Sequence, residues 1–441
     1  MQHVVIIGNG IAGITAARHI RKRSNDRITV ISGESDHFFS RTALMYIYMG
    51  HMKYEHTKPY EDQFWLKNRI ELIRKWVVRI DFDQRKISFD DKEVLPYDKL
   101  ILATGSKSNM FGWEGEDLKG VQGLYSLQDL ELMEANTREI SQAVVVGGGL
   151  IGVEMAEMLH SRGIDVTFLV REKHFWDIVL PDQDAEMLER HIKVYGIDLR
   201  MDTLLKRIID DGTGKVKAIE TDDGEVINCE FVGLAVGVSP NIEFLKGTSL
   251  KMDHGILVNE NLETNLPNVY AIGDCAQLKS PDEGRRSLEA VWYTGRKMGE
   301  TVAQTITGSS MSYNPGIWFN SAKFFDIEYQ TYGTVQPRPP EGVGQFHWEH
   351  GNKGMTFAYD EASLTFLGVN TFGIRLRHEV VDRWLKDKVK LDHVVTHLMA
   401  ANFDPEFFRQ YDPEIQRAFN EEFPHVEVSI RKKSLLEKIL G

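Results

Sequence analysis

The chain has 441 residues, of which 42% are hydrophobic and 27% charged, and its formal net charge is −13. This length predicts two or three domains, and the acidic balance argues against general nucleic-acid affinity. No run of eighteen apolar residues occurs, and the N-terminus shows neither a basic leader nor a cleavage site, so we expect a cytoplasmic protein without a membrane span. The two cysteines, Cys229 and Cys275, are too few for a disulfide framework.

The first predicted elements are a strand, a glycine-rich turn and a helix. The apolar residues 4–7 precede Gly8, Gly10 and Gly13, and a second apolar run follows at residues 27–31. In such a turn the first glycine makes the bend, the second lets a pyrophosphate approach the backbone, and the third permits close packing of helix and strand. The helix N-terminus adds free N–H groups and a partial positive charge. The pattern predicts a β-α-β unit that binds a dinucleotide.

The same pattern occurs a second time. The apolar residues 143–146 precede Gly147, Gly149 and Gly152, and a further apolar run follows at residues 165–170. Two copies in the same strand–turn–helix context are far more specific than one, so the sequence predicts two bound dinucleotides.

Three later segments carry a resemblance to a known family: residues 97–105 (YDKLILATG), 235–241 (AVGVSPN) and 264–274 (TNLPNVYAIGD). With the two glycine motifs they resemble, in order, the two-dinucleotide-binding-domain flavoproteins, which are FAD-dependent pyridine nucleotide oxidoreductases. The sequence is most similar to NAD(P)H-dependent rubredoxin and ferredoxin reductases and to the flavoprotein part of assimilatory nitrite reductase. The resemblance implies an α/β fold with two Rossmann-like dinucleotide-binding domains and an α+β C-terminal domain.

The resemblance also implies domain boundaries. The FAD-binding domain is expected to be discontinuous, at residues 1–112 and 236–310. The NAD(P)H-binding domain is expected at residues 113–235, and an interface domain at residues 311–441. In the family the third domain often forms part of a dimer interface, so a homodimer is expected. It opens with a segment that residues 317–326 resemble.

The first glycine motif is expected to hold FAD. Asp274 is expected to bond to the ribityl chain, because a carboxylate accepts hydrogen bonds from sugar-like hydroxyls. Glu34 lies where a carboxylate can accept bonds from the ribose hydroxyls, although it can also be read as a surface glutamate. Arg41 is expected near the pyrophosphate, and Val77 at the adenine with a shift of one residue left open. A helix containing residues 289–292 is expected to meet the flavin. The expected FAD contacts are Gly8, Gly10, Ala12, Gly13, Glu34, Arg41, Val77, Ala103, Thr104, Gly105, Asp274 and Val291.

The second glycine motif is expected to hold NADH or NADPH. Glu172 aligns with Glu34, which suits a free ribose and favours NADH, whereas the adjacent Arg171 suits the 2′-phosphate of NADPH. The expected contacts of this cofactor are Gly147, Gly149, Ile151, Gly152, Arg171 and Glu172.

The sequence departs from its relatives at the redox centre. No CxxC or CxxxxC pair occurs, so disulfide reductase chemistry is excluded, and Thr42 stands where some relatives have a single reactive cysteine. Both cysteines are interpreted as packing residues, with Cys229 in a strand and Cys275 beside the FAD.

Two residues are candidates for catalytic roles. Many ferredoxin reductases pair a lysine with the glutamate that corresponds to Glu154, and here Tyr46 occupies the lysine position. Glu154 is expected either to approach the nicotinamide or to complement the helix dipole as a first-turn carboxylate.

In the C-terminal third, residues 337–340 predict a loop and residues 377–399 a single helix. The pairs His347/His350 and His393/His397 are interpreted as surface histidines, and no metal is expected. The basic, amphipathic end of the chain, residues 423–441, is interpreted as a partner-binding or a capping helix.

The function predicted from these features is electron transfer from NADH or NADPH through FAD to an external acceptor, since no thiol relay is present. The leading hypothesis is a small iron–sulfur or rubredoxin-type carrier protein as acceptor. The alternatives are a hydrogen-peroxide-forming NADH oxidase or quinone reductase, and a flavin-bound signalling or scaffold protein with slow turnover that resembles apoptosis-inducing factor.

Overall fold

The computed structural model describes residues 1–403 and 409–431. The chain divides into two compact units. The first unit comprises Met1–Gly147, Met155–Val166 and Leu205–Pro315, and the second comprises Gly148–Glu154, Thr167–Leu204 and Gly316–Gly441. Ten of the nineteen residues of the C-terminal segment 423–441, namely 432–441, lie outside the described residues.

Within the described residues the helices are α1 (Ile11–Arg23), α2 (Leu44–Tyr48), α3 (Gln63–Lys67), α4 (Leu127–Asn136), α5 (Leu150–His160), α6 (Asp182–Val194), α7 (Trp292–Ile306), α8 (His378–Lys386), α9 (Leu391–Thr396), α10 (Leu398–Ala401) and α11 (Asp412–Glu422). The strands up to the second glycine motif are β1 (His3–Ile7), β2 (Arg27–Ser32), β3 (Ile70–Arg74), β4 (Val77–Asp81), β5 (Lys86–Phe89), β6 (Val94–Pro96), β7 (Lys99–Leu102), β8 (Ser106–Ser108), β9 (Val121–Gln122) and β10 (Gln142–Val146). The later strands are β11 (Asp165–Leu169), β12 (Asp198–Arg200), β13 (Leu205–Asp210), β14 (Val216–Thr221), β15 (Val226–Asn228), β16 (Phe231–Leu234), β17 (Val238–Pro240), β18 (Ile256–Val258), β19 (Val269–Ala271), β20 (Ala276–Leu278), β21 (Phe319–Phe324), β22 (Ile327–Gly333), β23 (Val343–His350), β24 (Lys353–Asp360) and β25 (Phe366–Phe372).

The first unit is built on a parallel sheet in the order β19-β7-β1-β2-β3. Its central strand β1 is an almost continuous apolar run, as expected where both faces of a parallel sheet are covered, and Val4, Val5 and Ile6 are fully buried. The first predicted β-α-β unit is present as β1, α1 and β2, with Val4 opposite Ile28 in parallel register. All five strands run in the same direction, so their carboxyl ends meet at one edge, where ligands of such sheets bind.

The second predicted motif also begins on a buried parallel strand. In the first unit β10 pairs in parallel with β16, which pairs with β9. In the second unit β11 pairs in parallel with β12. The predicted α/β class with Rossmann-like units is therefore confirmed.

The C-terminal third forms an antiparallel sheet in the order β21-β22-β25-β24-β23. Its core joins aromatic side chains of the sheet, such as Tyr332 and Phe357, to Trp384 and Phe419 of the helices. Strand β21 lies within the segment expected to open this domain. The predicted loop at residues 337–340 lies between β22 and β23.

The single helix predicted for residues 377–399 is wrong, because the structure has α8, α9 and α10 there. Lys388 adopts a left-handed conformation with φ of 50°. The backbone of the break bonds to the turn before β25: Phe366 N–H donates to Val389 O and Leu391 N–H to Leu364 O, both at 2.8 Å. These tertiary hydrogen bonds outweigh the helical periodicity of the sequence.

One histidine predicted at the surface is partly buried instead. The side chain of His347 is only 11% exposed, and its Nδ1 lies 2.7 Å from Thr356 Oγ1 and 3.4 Å from Asp184 Oδ1. Asp184 of α6 is fully buried and accepts hydrogen bonds from Thr356 (2.5 Å) and Asn370 (2.9 Å). The strands of the C-terminal sheet thus supply the donors that a buried carboxylate requires.

The other histidine pair lies at the surface as predicted. His393 and His397 are exposed, with their ring centroids 4.2 Å apart. In the part of the chain that is described, no three His, Cys, Asp or Glu side chains form a group suited to a metal ion. No described helix combines the length and apolarity needed to span a membrane.

Candidate functional site

The first glycine motif has the geometry that a pyrophosphate requires. A Cβ placed on Gly8 would lie 1.9 Å from Ala103 O, and one on Gly13 would lie 2.0 Å from Gly8 O, so both positions need glycine for packing. A Cβ on Gly10 would meet nothing within 4 Å. Gly10 is also the N-cap of α1 and offers no side chain to its N–H groups. The open side of Gly10 and these N–H groups fit a phosphate.

Glu34 and Arg41 form one ion pair beside this turn. Arg41 donates to the two carboxylate oxygens of Glu34 at 2.8 and 2.6 Å, and Leu127 N–H donates to Oε1 at 2.9 Å. Burial would lower the pKa of Arg41, but the hydrogen bonds and charge of Glu34 outweigh it and raise that pKa. An oxygen can accept more than one hydrogen bond. Oε2 of Glu34 thus keeps capacity for a ribose hydroxyl.

Asp274 lies at the same edge of the sheet, in a tight turn directly after β19. A Cβ on the preceding Gly273 would lie 3.0 Å from Ala12 Cβ, so this turn packs closely against the start of α1. The Asp274 carboxylate accepts hydrogen bonds from Ser106 Oγ (3.2 Å) and Tyr125 OH (3.1 Å). Burial raises the pKa of Asp274, and these two donors partly offset that rise. A partly buried carboxylate is therefore present within the same unit as the first glycine motif.

Tyr125 is a member of this cluster that the sequence did not reveal. Its phenol oxygen accepts a hydrogen bond from Ser106 N–H at 3.0 Å and donates to Asp274. The signal available in the sequence was indirect: Ser126 and Asp129 form a capping box that starts α4. That box fixes where Tyr125 lies along the chain, but not where its ring points.

The segments that carried the resemblance come together in the first unit. Asn241 N–H donates to Gly105 O at 2.9 Å, and β17 pairs antiparallel with β8 through Val238 and Ser108. Residues 103–105 follow β7 and thereby lie at the edge where β1 and β19 also end.

The two remaining expected FAD contacts, Val77 and Val291, lie in a strand and at the start of a helix, respectively. Val77 is the first residue of β4, paired with Phe89 and partly buried. Val291 is the N-cap of α7, which begins at Trp292. The prediction that Glu289 and Ala290 belong to this helix is wrong, because the chain is still extended at Val291 (φ −134°).

The second glycine motif repeats the geometry of the first. Gly147 has the same φ of +114° as Gly8, and a Cβ on it would lie 2.4 Å from Ala235 O. A Cβ on Gly149 would meet nothing within 4 Å. Gly149 thus has the same open side as Gly10, which fits a second pyrophosphate. Ile151 and Gly152 lie in the first turn of α5.

Arg171 and Glu172 follow β11 and bind each other. Arg171 Nε donates to Glu172 Oε1 at 2.7 Å, and the Arg171 side chain is 73% exposed whereas that of Glu172 is 21% exposed. The pair supplies both a carboxylate for a ribose and a cation for a phosphate, so NADH and NADPH remain alternatives.

The two catalytic candidates lie in different units. Tyr46 is half-buried on α2, with its ring 6.2 Å from that of His51. Glu154 is the fifth residue of α5, whose first turn contains no acidic side chain. The interpretation of Glu154 as a first-turn carboxylate is therefore wrong, because the dipole effect is confined to the first turn.

Neither cysteine is suited to redox chemistry. Both are free and buried, and burial raises the pKa of Cys229 to about 12 and that of Cys275 above its ordinary value. Cys275 Sγ donates to the carbonyls of Leu102 and Ile272 at 3.5 and 3.4 Å. Cys229 packs as expected, but it lies between β15 and β16 and not in a strand as predicted.

Comparison with known proteins identifies the family. A family model described as pyridine nucleotide-disulphide oxidoreductase matches residues 2–299. The chain is 32% identical over 339 residues to an NADH oxidase of Methanocaldococcus jannaschii, with 74% of each protein covered. It is 31% identical over 331 residues to rhodocoxin reductase of Rhodococcus erythropolis, with 73% of this chain and 76% of that protein covered.

A solved ferredoxin reductase from Rhodopseudomonas palustris superimposes with a TM-score of 0.78 at 23% identity. The match covers 95% of this chain and all of that one, which shows a common fold. With the two glycine turns and the partly buried carboxylate of Asp274 in place, the chain belongs to the pyridine nucleotide-disulphide oxidoreductase family and is an FAD-dependent NAD(P)H oxidoreductase without a redox-active disulfide.

Proposed function

We propose that the protein passes electrons from NADH or NADPH through FAD to a small iron–sulfur or rubredoxin-type carrier protein. The observation that carries the proposal is the state of the two thiols. Cys229 and Cys275 are buried and burial raises the pKa of each, so no thiolate is present to relay electrons within the chain. Electrons must therefore leave the flavin for an external acceptor.

The side chains have distinct proposed tasks. FAD, when bound, supplies the hydride and electron chemistry. Gly10 and the start of α1 bind its pyrophosphate, Glu34 accepts from the ribose, and Asp274 accepts from the ribityl chain. Gly149 and the start of α5 bind the nicotinamide cofactor, with NADH favoured through Glu172.

The domain assignment stays part of the proposal. Residues 1–112 and 236–310 would bind FAD, residues 113–235 NAD(P)H, and residues 311–441 would supply a dimer interface. Glu154 is proposed to approach the nicotinamide, and Tyr46 is proposed as a catalytic residue because it stands at the sequence position of the lysine in many ferredoxin reductases.

The acceptor is tested by reoxidation after stopped-flow reduction with NADH. Reduced protein is mixed with a rubredoxin, a two-iron ferredoxin or dissolved oxygen, and the flavin absorbance is followed. We expect at least one carrier to reoxidise the flavin much faster than oxygen does. If oxygen is the fastest acceptor and produces hydrogen peroxide stoichiometrically, the carrier function is refuted.

A second candidate is a hydrogen-peroxide-forming NADH oxidase. It is supported by the similarity to the protein named NADH oxidase, and the same experiment separates the two functions.

A further inference from the structure

We propose that Tyr125 is a positioning residue of the FAD site, which holds the Asp274 carboxylate for the ribityl chain and links it to the ribose acceptor Glu34. The inference rests on the proposed placement of FAD at the first glycine motif. Nothing in the resemblance assigned a role to this tyrosine, and the contacts within the first unit carry the argument.

The Tyr125 hydroxyl lies between one hydrogen-bond donor and one acceptor. Ser106 N–H donates to the phenol oxygen at 3.0 Å, and the same oxygen lies 3.1 Å from Asp274 Oδ2. Because a carboxylate offers only acceptors, the phenol hydrogen must point at Asp274. Burial raises the pKa of Tyr125 well above its ordinary value, so the hydroxyl stays a donor at physiological pH.

The backbone groups of Tyr125 bond to Arg41 and Asp129. Arg41 Nη1 donates to Tyr125 O at 2.6 Å, and the Arg41 guanidinium lies 4.5 Å from the centroid of the Tyr125 ring. The same guanidinium holds Glu34, while Asp129 accepts Tyr125 N–H at 2.9 Å. The chain Glu34–Arg41–Tyr125–Asp274 therefore connects the proposed acceptors at the two ends of FAD.

The Tyr125 hydroxyl also affects the charge of Asp274. Burial raises the pKa of its carboxyl, and the hydrogen bonds from Tyr125 and Ser106 and the charge of Arg41 act against that rise. The adjacent Cys275 is neutral, since burial raises its pKa as well. Loss of the Tyr125 donor would raise the pKa of Asp274 further, and the protonated acid would be a weaker acceptor for a ribityl hydroxyl than the carboxylate is.

The test is the dissociation constant of FAD from the full-length apoprotein, measured from mildly acidic to mildly alkaline pH. Tyr125→Phe keeps the ring and removes only the hydroxyl. We expect FAD to bind about tenfold more weakly at neutral pH, the size of one lost hydrogen bond to a charged group. The difference should grow as the pH falls, because the Asp274 carboxylate of the variant is protonated at higher pH.

Tyr97→Phe is the matched control. Tyr97 is buried in the same unit, and its hydroxyl has no hydrogen-bond partner among the described residues. Its removal should leave both the affinity for FAD and the pH profile unchanged.

Two results would overturn the inference. One is a Tyr125→Phe variant with the affinity and pH profile of the Tyr97→Phe control, and the other is weaker binding by the same factor at every pH, which indicates packing alone. If Tyr125→Phe does not fold, Ser106→Ala removes the other side-chain donor to the same carboxylate, and an unchanged pH profile there refutes the inference. Turnover with ferricyanide at saturating FAD reports the proposed function separately.

Discussion

Gly149→Val separates the nicotinamide site from the FAD site. Gly149 has an ordinary negative or extended backbone and no atom within 4 Å of the place where its Cβ would lie. A valine therefore fits the protein alone, yet it projects into the space that the second pyrophosphate is proposed to occupy. Gly10, the corresponding residue of the first motif, is untouched.

The size of the effect follows from the contacts that the valine prevents. If two charge-assisted hydrogen bonds from backbone N–H groups to phosphate are lost, at about 1.5–3 kcal/mol each, affinity falls by roughly two to four orders of magnitude. The limiting rate of reduction by dithionite should be unchanged, because dithionite needs no nucleotide site.

The assay is stopped-flow reduction of the FAD-loaded protein by NADH and NADPH, with FAD content and melting temperature measured on the same sample. Gly147→Val is the contrasting variant, since its φ is +114° and its Cβ would lie 2.4 Å from Ala235 O. We expect Gly147→Val to destabilise the fold and Gly149→Val not to. Reduction of Gly149→Val by NADH at the wild-type rate and concentration dependence would refute the assignment of this turn.

Three further predictions address the same chemistry. Asp274→Asn should stabilise the apoprotein at neutral pH, because burial raises the pKa of this carboxyl and its ionisation therefore opposes folding. The gain in stability should vanish as the pH falls below the ordinary pKa of an aspartate. Thermal melts at several pH values that show no such trend would contradict this prediction. The double variant Cys229→Ser, Cys275→Ala should keep its ferricyanide reductase activity once corrected for FAD content, and loss of activity with FAD bound would reveal a thiol step. If NADH is the donor, Glu172→Ala should reduce kcat/KM for NADH, and Arg171→Ala should matter less. If NADPH is the donor, Arg171→Ala should lower kcat/KM for NADPH by about ten- to hundredfold. A ratio of kcat/KM for NADH to that for NADPH that is unchanged in both variants would place the specificity residues elsewhere.

The sequence predicted those parts of the fold that depend on local patterns. The strands at residues 4–7 and 143–146 are continuous apolar runs, and Gly8, Gly13 and Gly147 lie where a side chain would clash with neighbouring backbone. These patterns are local in sequence, so they predict a β-α-β unit without knowledge of the rest of the chain.

Features that depend on tertiary contacts were not predictable in this way. The helix breaks at Lys388 because the neighbouring residues bond to the start of β25 and to the turn before it. The hydrophobic periodicity of residues 377–399 does not indicate these distant partners. Tyr125 reaches Asp274 across 149 residues of sequence. Its position next to the capping box of α4 gave no indication of its hydroxyl's partner.

The buried Asp184 has a consequence for how the gene product can be shortened. Its hydrogen-bond donors, Thr356 and Asn370, belong to the C-terminal sheet, although the family match ends at residue 299. A fragment that stops before β21 would lack both donors, and it would lack the sheet on which Thr356 and Asn370 lie. Expression of a chain that ends before β21 should therefore yield a polypeptide that is less stable than the full chain, and a different C-terminal sheet would have to supply its own donors to residue 184.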